Sequence, residues 1–274
     1  MYKLLPILLF AYGLAVTTED IYDNSYALII GINSYENFQQ LNYPSHDSVI
    51  IEQMLISTFN FPENNVTLLL EEKATKDNIL NKFQNILLKS KDKDRILIYF
   101  SGHAETMDLP HGQEIGYLIP VDTDVEKPEE EGIPMDDFVR MGRMSKSKHI
   151  LFLMDACYSG LMAEVPRGID KDRKEQGYLS TVSNISARQI ITAGGAKQEV
   201  VEIDKLQHSA LTYNLLNALD NWEAGSSDKG YITASMLGEY LRTTVSNDTR
   251  GKQTPEVARF RYSKNGEFVF TLKP

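Results

Sequence analysis

His149-Ile-Leu-Phe-Leu-Met-Asp-Ala-Cys157-Tyr-Ser-Gly160 is the stretch on which the reading of this chain turns. A short apolar run, residues 150–154 with Ala156, leads into the single cysteine of 274 residues and closes on Ser-Gly. That length and that closure predict a buried strand ending at its carboxyl edge. A second stretch has the same form: Arg95-Ile-Leu-Ile-Tyr-Phe-Ser-Gly-His103. Chemistry in open α/β sheets gathers at the carboxyl ends of strands. If the two strands are parallel neighbours, His103 and Cys157 emerge at the same rim.

These two residue types suit one reaction. A free thiol, with a pKa of about 8.5, is mostly protonated at neutral pH. An adjacent imidazole can accept its proton or hold the thiolate as an ion pair, and later protonate a leaving amine. The flanking glycines let backbone N–H groups approach a substrate carbonyl, and the N–H groups of Gly102 and Cys157 are the candidate oxyanion donors. Taken singly, a lone cysteine reads as a small buried hydrophobe and a lone histidine as structural. Two strand-end motifs of the same grammar favour a catalytic pair.

Tyr99-Phe-Ser-Gly-His-Ala104 and Asp155-Ala-Cys-Tyr-Ser-Gly160 resemble the two signatures of caspase-type cysteine peptidases, with the metacaspase and bacterial caspase-like (orthocaspase) branch the closer match. Tyr26-Ala-Leu-Ile-Ile-Gly-Ile-Asn33 resembles the family's first strand, and residues 41–54 its first helix region. Gly116-Tyr-Leu-Ile-Pro-Val-Asp122, Ile190-Ile-Thr-Ala-Gly194 and Ser209-Ala-Leu-Thr-Tyr213 resemble later segments. The resemblance spans roughly residues 25–260. It implies an α/β fold of the caspase–haemoglobinase type, a three-layer sandwich with about six mainly parallel strands and helices on both faces. It also implies a large-subunit region over residues 22–165, an exposed basic linker over 166–185 and a small-subunit region over 186–274. Two positions depart from the pattern: Ala104 stands where many relatives have Gly, and Tyr158 where metacaspases usually have His.

Two acids are candidates for substrate selection. Asp155 lies two residues before Cys157, which places both on one face of a regular strand. Asp47 opens the first predicted helix. From spacing alone, Asp47 reads as a helix-start acid and Asp155 as a strand-end residue bonded to backbone. The resemblance implies more: both match acids lining the pocket for the residue before the scissile bond in metacaspase-like enzymes, which cut after Arg or Lys. Two carboxylates at one pocket floor would bind a cationic side chain, Arg best because its fork can bridge both. The resemblance also makes the linker a place for self-cleavage, with Arg167, Lys171, Arg173 and Lys174 as candidate positions; on composition alone these are an ordinary solvated charge run. Asp136, Asp137 and Glu164 resemble in position acids that bind activating calcium in some metacaspases. Hard cations want several converging oxygens, and surface acids are the plainer reading. No cofactor is required for the reaction itself.

Composition sets the remaining bounds. Hydrophobic content of 42% and charged content of 24% are ordinary for a soluble globular chain. A formal net charge of −10 argues against nucleic-acid or anionic-membrane partners and weakly favours basic substrates. The expected partner is a protein or peptide with a basic residue before the cut, and the expected state is a monomer. Met1-Tyr-Lys3, an apolar run over residues 4–16 and small residues at Gly13-Leu-Ala15 predict a secretory signal peptide over residues 1–18. A secreted or periplasmic enzyme follows from it, with no membrane contact once the leader is removed. Residues 19–25 read as a flexible lead-in and 104–133 as a long polar connection with one strand at 115–119. Strands are expected at 26–32, 66–70, 189–193 and 268–272. Helices are expected at 47–59, from Thr75 to about 89, at 134–144, at 209–219 and after Thr233. Two other functions fit the same motifs: a non-catalytic caspase-like interaction module, and a legumain-like or gingipain-like peptidase of different specificity.

Overall fold

The computed structural model describes residues 17–124, 126–157, 163–164, 177–195, 198–225, 230–260 and 262–271; the side chains of Gln113, Cys157, Ala163 and Glu164 are outside that description. Residues 1–16 of the expected 1–18 leader, Tyr158, and Arg167, Lys171, Arg173 and Lys174 of the expected linker also lie outside the described residues.

The first half alternates strands and helices: β1 (Ser25–Gly31), α1 (Pro44–Ser57), β2 (Val66–Leu70), α2 (Lys76–Lys89) and β3 (Arg95–Ser101). A hairpin follows, β4 (Ala104–Leu109) and β5 (Gln113–Leu118), then α3 (Pro128–Glu131), β6 (Ile133–Pro134) and α4 (Met135–Met144). The chain continues through β7 (His149–Cys157), β8 (Ala163–Glu164), α5 (Tyr178–Ser183) and β9 (Ala187–Gly194). It ends with β10 (Glu202–Ile203), β11 (His208–Ser209), α6 (Ala210–Asp220), β12 (Tyr231–Thr233), α7 (Ala234–Asp248), β13 (Glu256–Phe260) and β14 (Val269–Thr271).

The main sheet runs β2-β1-β3-β7-β9-β13-β8. Its first five strands are parallel, and β13 and β8 close one edge antiparallel. It has the expected architecture and one strand more than the count of about six, because the two-residue β8 attaches at the far edge. Strand alternation assigns side chains to two layers. Leu97, Tyr99, Leu151 and Leu153 face α1, α6 and α7, where Ile51, Leu215 and Leu241 complete one core. Ile96, Ile98, Phe100, Ile150 and Phe152 face α2 and α4. There Phe83 stacks on Phe138 at 5.0 Å and meets Phe152 edge-on at 6.2 Å, contacts of about 0.5–1.5 kcal/mol each beyond the area they bury. Thr75, Ser209 and Thr233 cap α2, α6 and α7, each accepting from the backbone N–H three residues on.

Two expectations are corrected, and a third is met outside the main sheet. Residues 104–133 are a three-stranded antiparallel sheet of β4, β5 and β6, not a connection with one strand. Their half-exposed polar side chains conceal it from a hydrophobic pattern. The predicted last strand exists as β14 but pairs with β12, outside the main sheet, while β13 takes the sheet position. Residues 19–25 are not a flexible lead-in: Ile21 and Tyr22 are buried, and Thr18 Oγ1 bonds Thr271 Oγ1 at 2.7 Å.

That segment closes the amino end of the sheet. Tyr22 Oη accepts from Val269 N–H at 3.0 Å and donates to His149 Nδ1 at 2.6 Å. The other ring nitrogen, Nε2, donates to Ile185 O at 2.9 Å. Arg95, fully buried, donates to Ser25 Oγ, Val269 O and Phe59 O at 2.6–2.8 Å and lies 4.4 Å from the Phe61 ring centre. Burial pushes the His149 imidazole down to about 3 and the Arg95 guanidinium down to about 10.

Candidate active site

β3 and β7 are adjacent and parallel, with Ser101 opposite Asp155. His103 and Cys157 therefore follow the paired positions by two residues each, on strands about 4.8 Å apart. β7 carries an irregularity here: Met154 pairs with Thr192 but Cys157 pairs with Gly194. One residue is extra on β7, so strict alternation does not carry from Asp155 to Cys157. Such bulges re-aim side chains at the rims of sheets.

The imidazole of His103 is held by groups that the sequence did not reveal. Nε2 lies 2.6 Å from Gln39 O. A carbonyl only accepts, so Nε2 carries the hydrogen, and Nδ1 is the free base of the neutral ring. The Tyr35 ring stands 4.8 Å from the imidazole and the Phe38 ring 5.6 Å. Tyr35 Oη accepts from His103 N–H at 3.0 Å and donates to Ile119 O at 3.2 Å. A Cβ at Gly102 would sit 2.5 Å from that Oη, so glycine is required for this close approach. The loop bearing Tyr35 and Gln39 is itself fixed: Glu71 accepts from the backbone N–H groups of Asn33 and Ser34 and from Ser45 Oγ.

The two predicted acids lie behind this rim and are both fully buried. Asp155 Oδ2 accepts from Thr212 Oγ1 at 2.8 Å and from Ser209 Oγ, and Tyr99 Oη lies 3.5 Å away. Its other oxygen, Oδ1, is buried without a partner. Asp47 accepts from Ser209 N–H at 3.0 Å on Oδ2, and its Oδ1 lies 2.5 Å from His208 Nδ1. Ser209, the N-cap of α6, thus touches both carboxylates. Burial first, and the nearby Asp47 charge second, push the Asp155 carboxyl up to about 7, against the hydrogen bonds it accepts.

A cleft of about 500 Å³ opens here, lined by His103, Gly102, Asp155, Ser209 and Gln39 among others. Among the described lining residues Glu105, Asp155, Glu199 and Glu202 are acidic and none is Lys or Arg. Asp47 is not part of that lining; it reaches the cleft through Ser209.

The remaining predicted residues lie elsewhere. Asp136 and Asp137 stand in the first turn of α4, where Asp137 pairs with Arg140 at 2.9 Å. Burial raises the Asp136 carboxyl. The backbone of Glu164 pairs with Arg259 at the sheet edge. Among the described residues no third His, Cys, Asp or Glu side chain joins Asp136 and Asp137, and the Glu164 side chain lies outside that description. The one cluster with metal-ligand spacing among those residues is His46, Asp47 and His208, which sequence spacing did not suggest.

Residues 24–265 match the Caspase domain family, peptidase C14. Metacaspase-2 of Arabidopsis thaliana is 26% identical over 275 residues, covering 90% of this chain and 62% of that protein. Metacaspase-1 of Eremothecium gossypii is 29% identical over 156 residues, covering 52% of this chain and 33% of its own length. The chain thus spans from a third to three-fifths of these relatives. Among solved structures, a Geobacter sulfurreducens protein superposes with a TM-score of 0.59 at 14% identity, covering 86% of this chain and 93% of its own. A pro-sf-caspase-1 structure superposes at 0.50 with 12% identity, covering 95% of each chain. At these identities the superpositions speak for the fold.

Proposed function

Because the chain belongs to the caspase-domain family, we propose that it is a cysteine endopeptidase that hydrolyses protein bonds after Arg or Lys. The observation that carries the reading is the register of β3 and β7, which sets His103 and Cys157 two residues past a paired position on neighbouring strands. In the proposed reaction Cys157 Sγ attacks the peptide carbonyl and His103 Nδ1 takes the thiol proton. The same nitrogen then protonates the leaving amine, and water hydrolyses the thioester. Gln39 O keeps the hydrogen on Nε2 throughout. The N–H groups of Gly102 and Cys157 are the proposed oxyanion donors.

The proposed basic specificity rests on the acidic cleft lining and on the unpartnered Asp155 Oδ1. A buried carboxylate oxygen without a donor is costly, and a guanidinium or ammonium would satisfy it. The basic linker, with Arg167, Lys171, Arg173 and Lys174, is then a substrate in cis. The apolar leader supports export as the route. No helix among the described residues is long and apolar enough to cross a membrane.

The test is cleavage of a peptide library varied at the residue before the bond by wild type and Cys157→Ala. Turnover confined to Arg and Lys, and lost in the variant, is the expected result. Turnover after Asp or Asn would overturn the specificity, and none at all would overturn the activity. Intact mass of active wild-type protein tests self-processing: cuts after linker basic residues are expected, and an uncut active chain removes it as a requirement.

A further inference from the structure

The geometry points to a second ligand site: His46, Asp47 and His208 bind a divalent transition metal of the zinc class, and its occupancy weakens recognition of basic substrates. The donor atoms of these three residues all lie within 4.8 Å of one another. His208 Nδ1 is 2.5 Å and His46 Nδ1 3.7 Å from the same oxygen, Asp47 Oδ1. The two imidazole rings lie with centres 5.2 Å apart, tilted by 35°.

The donor set selects the metal. Two imidazoles and one carboxylate suit zinc and its neighbours, whereas calcium and magnesium want oxygens alone. Zinc–ligand bonds of about 2.0–2.2 Å in a tetrahedral frame hold donor atoms on the order of 3.4 Å apart. The His46 contact already has nearly that span. The His208 contact must widen by on the order of 1 Å as the metal replaces the hydrogen between Nδ1 and Oδ1. His46 is exposed, which gives the ion an entry path, while Asp47 is fully buried. Ser209 N–H holds Asp47 Oδ2 at 3.0 Å, the outer-shell bond that orients a ligating carboxylate. Glu202 and Asp204, on the strand and turn leading to His208, add negative charge nearby.

The consequence for catalysis runs through Ser209, which bonds Asp47 with its N–H and Asp155 with its hydroxyl. A bound cation neutralises Asp47 and lowers the attraction of the cleft floor for a substrate cation. It leaves the thiol and the His103 ring alone, so KM rises and kcat does not fall. This consequence depends on the proposed basic specificity; the metal binding does not.

Zn²⁺ titration by calorimetry and Co²⁺ absorption on the Cys157→Ala protein test the site without a thiol ligand. One equivalent bound with tetrahedral Co²⁺ bands is expected, with affinity at least about tenfold weaker in Cys157→Ala/His46→Gln. Loss of binding in Cys157→Ala alone would assign the metal to the catalytic pair and overturn the site, as would undiminished binding when His46 is replaced. In the active protein, saturating Zn²⁺ should raise KM for an arginyl peptide about tenfold at constant kcat, and His46→Gln should abolish that rise with its metal-free kinetics unchanged. A fall in kcat at constant KM would overturn the inhibitory role. Should no peptide be cleaved by any form, the calorimetric arm still decides the site while the peptidase reading fails separately.

Discussion

β3 and β7 each begin on a buried basic residue and each lead into a predicted catalytic one, yet the two ends of this strand pair are built to opposite rules. At the amino end every side-chain nitrogen of Arg95 and His149 has a hydrogen-bond partner, and each of those partners is a neutral group of this chain. At the carboxyl end the same strands carry His103 beside an open cleft and Asp155 with one buried oxygen unpartnered. Residue type does not separate these ends, since both hold histidine and buried charge. Completeness of hydrogen bonding does: a closed network fixes a fold, and an incomplete one leaves room for a ligand.

Substitutions at the two ends should therefore fail differently. The largest effect belongs to the rim: Cys157→Ala or His103→Ala should lower kcat/KM about a thousandfold or more with an unchanged Tm, checked by peptide hydrolysis and calorimetry. Next is Arg95→Met, which strands the carbonyls of Phe59 and Val269 without donors. Denaturant unfolding should show a loss of about 2–4 kcal/mol, with turnover per folded molecule retained. A fall in turnover without loss of stability would erase the contrast between the ends.

Asp155→Asn sharpens the comparison because it keeps the shape and removes the charge. KM for arginyl peptides should rise on the order of tenfold. Stability should move the other way. The Asp155 carboxyl sits near 7 in the fold against an ordinary 3.8. Its contribution is thus fully favourable below 3.8, is lost as pH rises through 7, and is restored above 7 by the neutral amide. The smallest effect concerns wild type: affinity for a non-covalent amidine should strengthen up to about tenfold between about pH 6 and pH 8 as Asp155 ionises. A flat profile would detach this carboxyl from cation binding.

Much of this is legible in the amino-acid pattern. β1, β3 and β7 carry unbroken apolar runs, as strands covered on both faces do, while β2 and β9 carry shorter ones. β13 was not legible, because Glu256 and Arg259 interrupt a five-residue edge-side strand. The β4–β5 hairpin was hidden for a similar reason, carrying Glu105 and Asp108 on a half-exposed surface. Within the site, His103 and Asp155 could be named, but their supports could not. Gln39 acts through a backbone carbonyl, which has no residue signature. His208 meets Asp47 across 161 positions, and only tertiary folding brings them together. The alternation argument linking Asp155 to Cys157 fails at the bulge, which no periodicity announces.

The buried threonine pair at the amino end limits how far the front of the chain can be shortened. Thr18 bonds Thr271, and Ile21 and Tyr22 fill the space beside Arg95 and His149. A leader ending at residue 18, as the sequence predicts, would take Thr18 with it, whereas an end ahead of Thr18 would keep the plug over this end of the sheet. An expression tag joined at residue 17 is tolerable on the same grounds, and one replacing residues through Tyr22 is not.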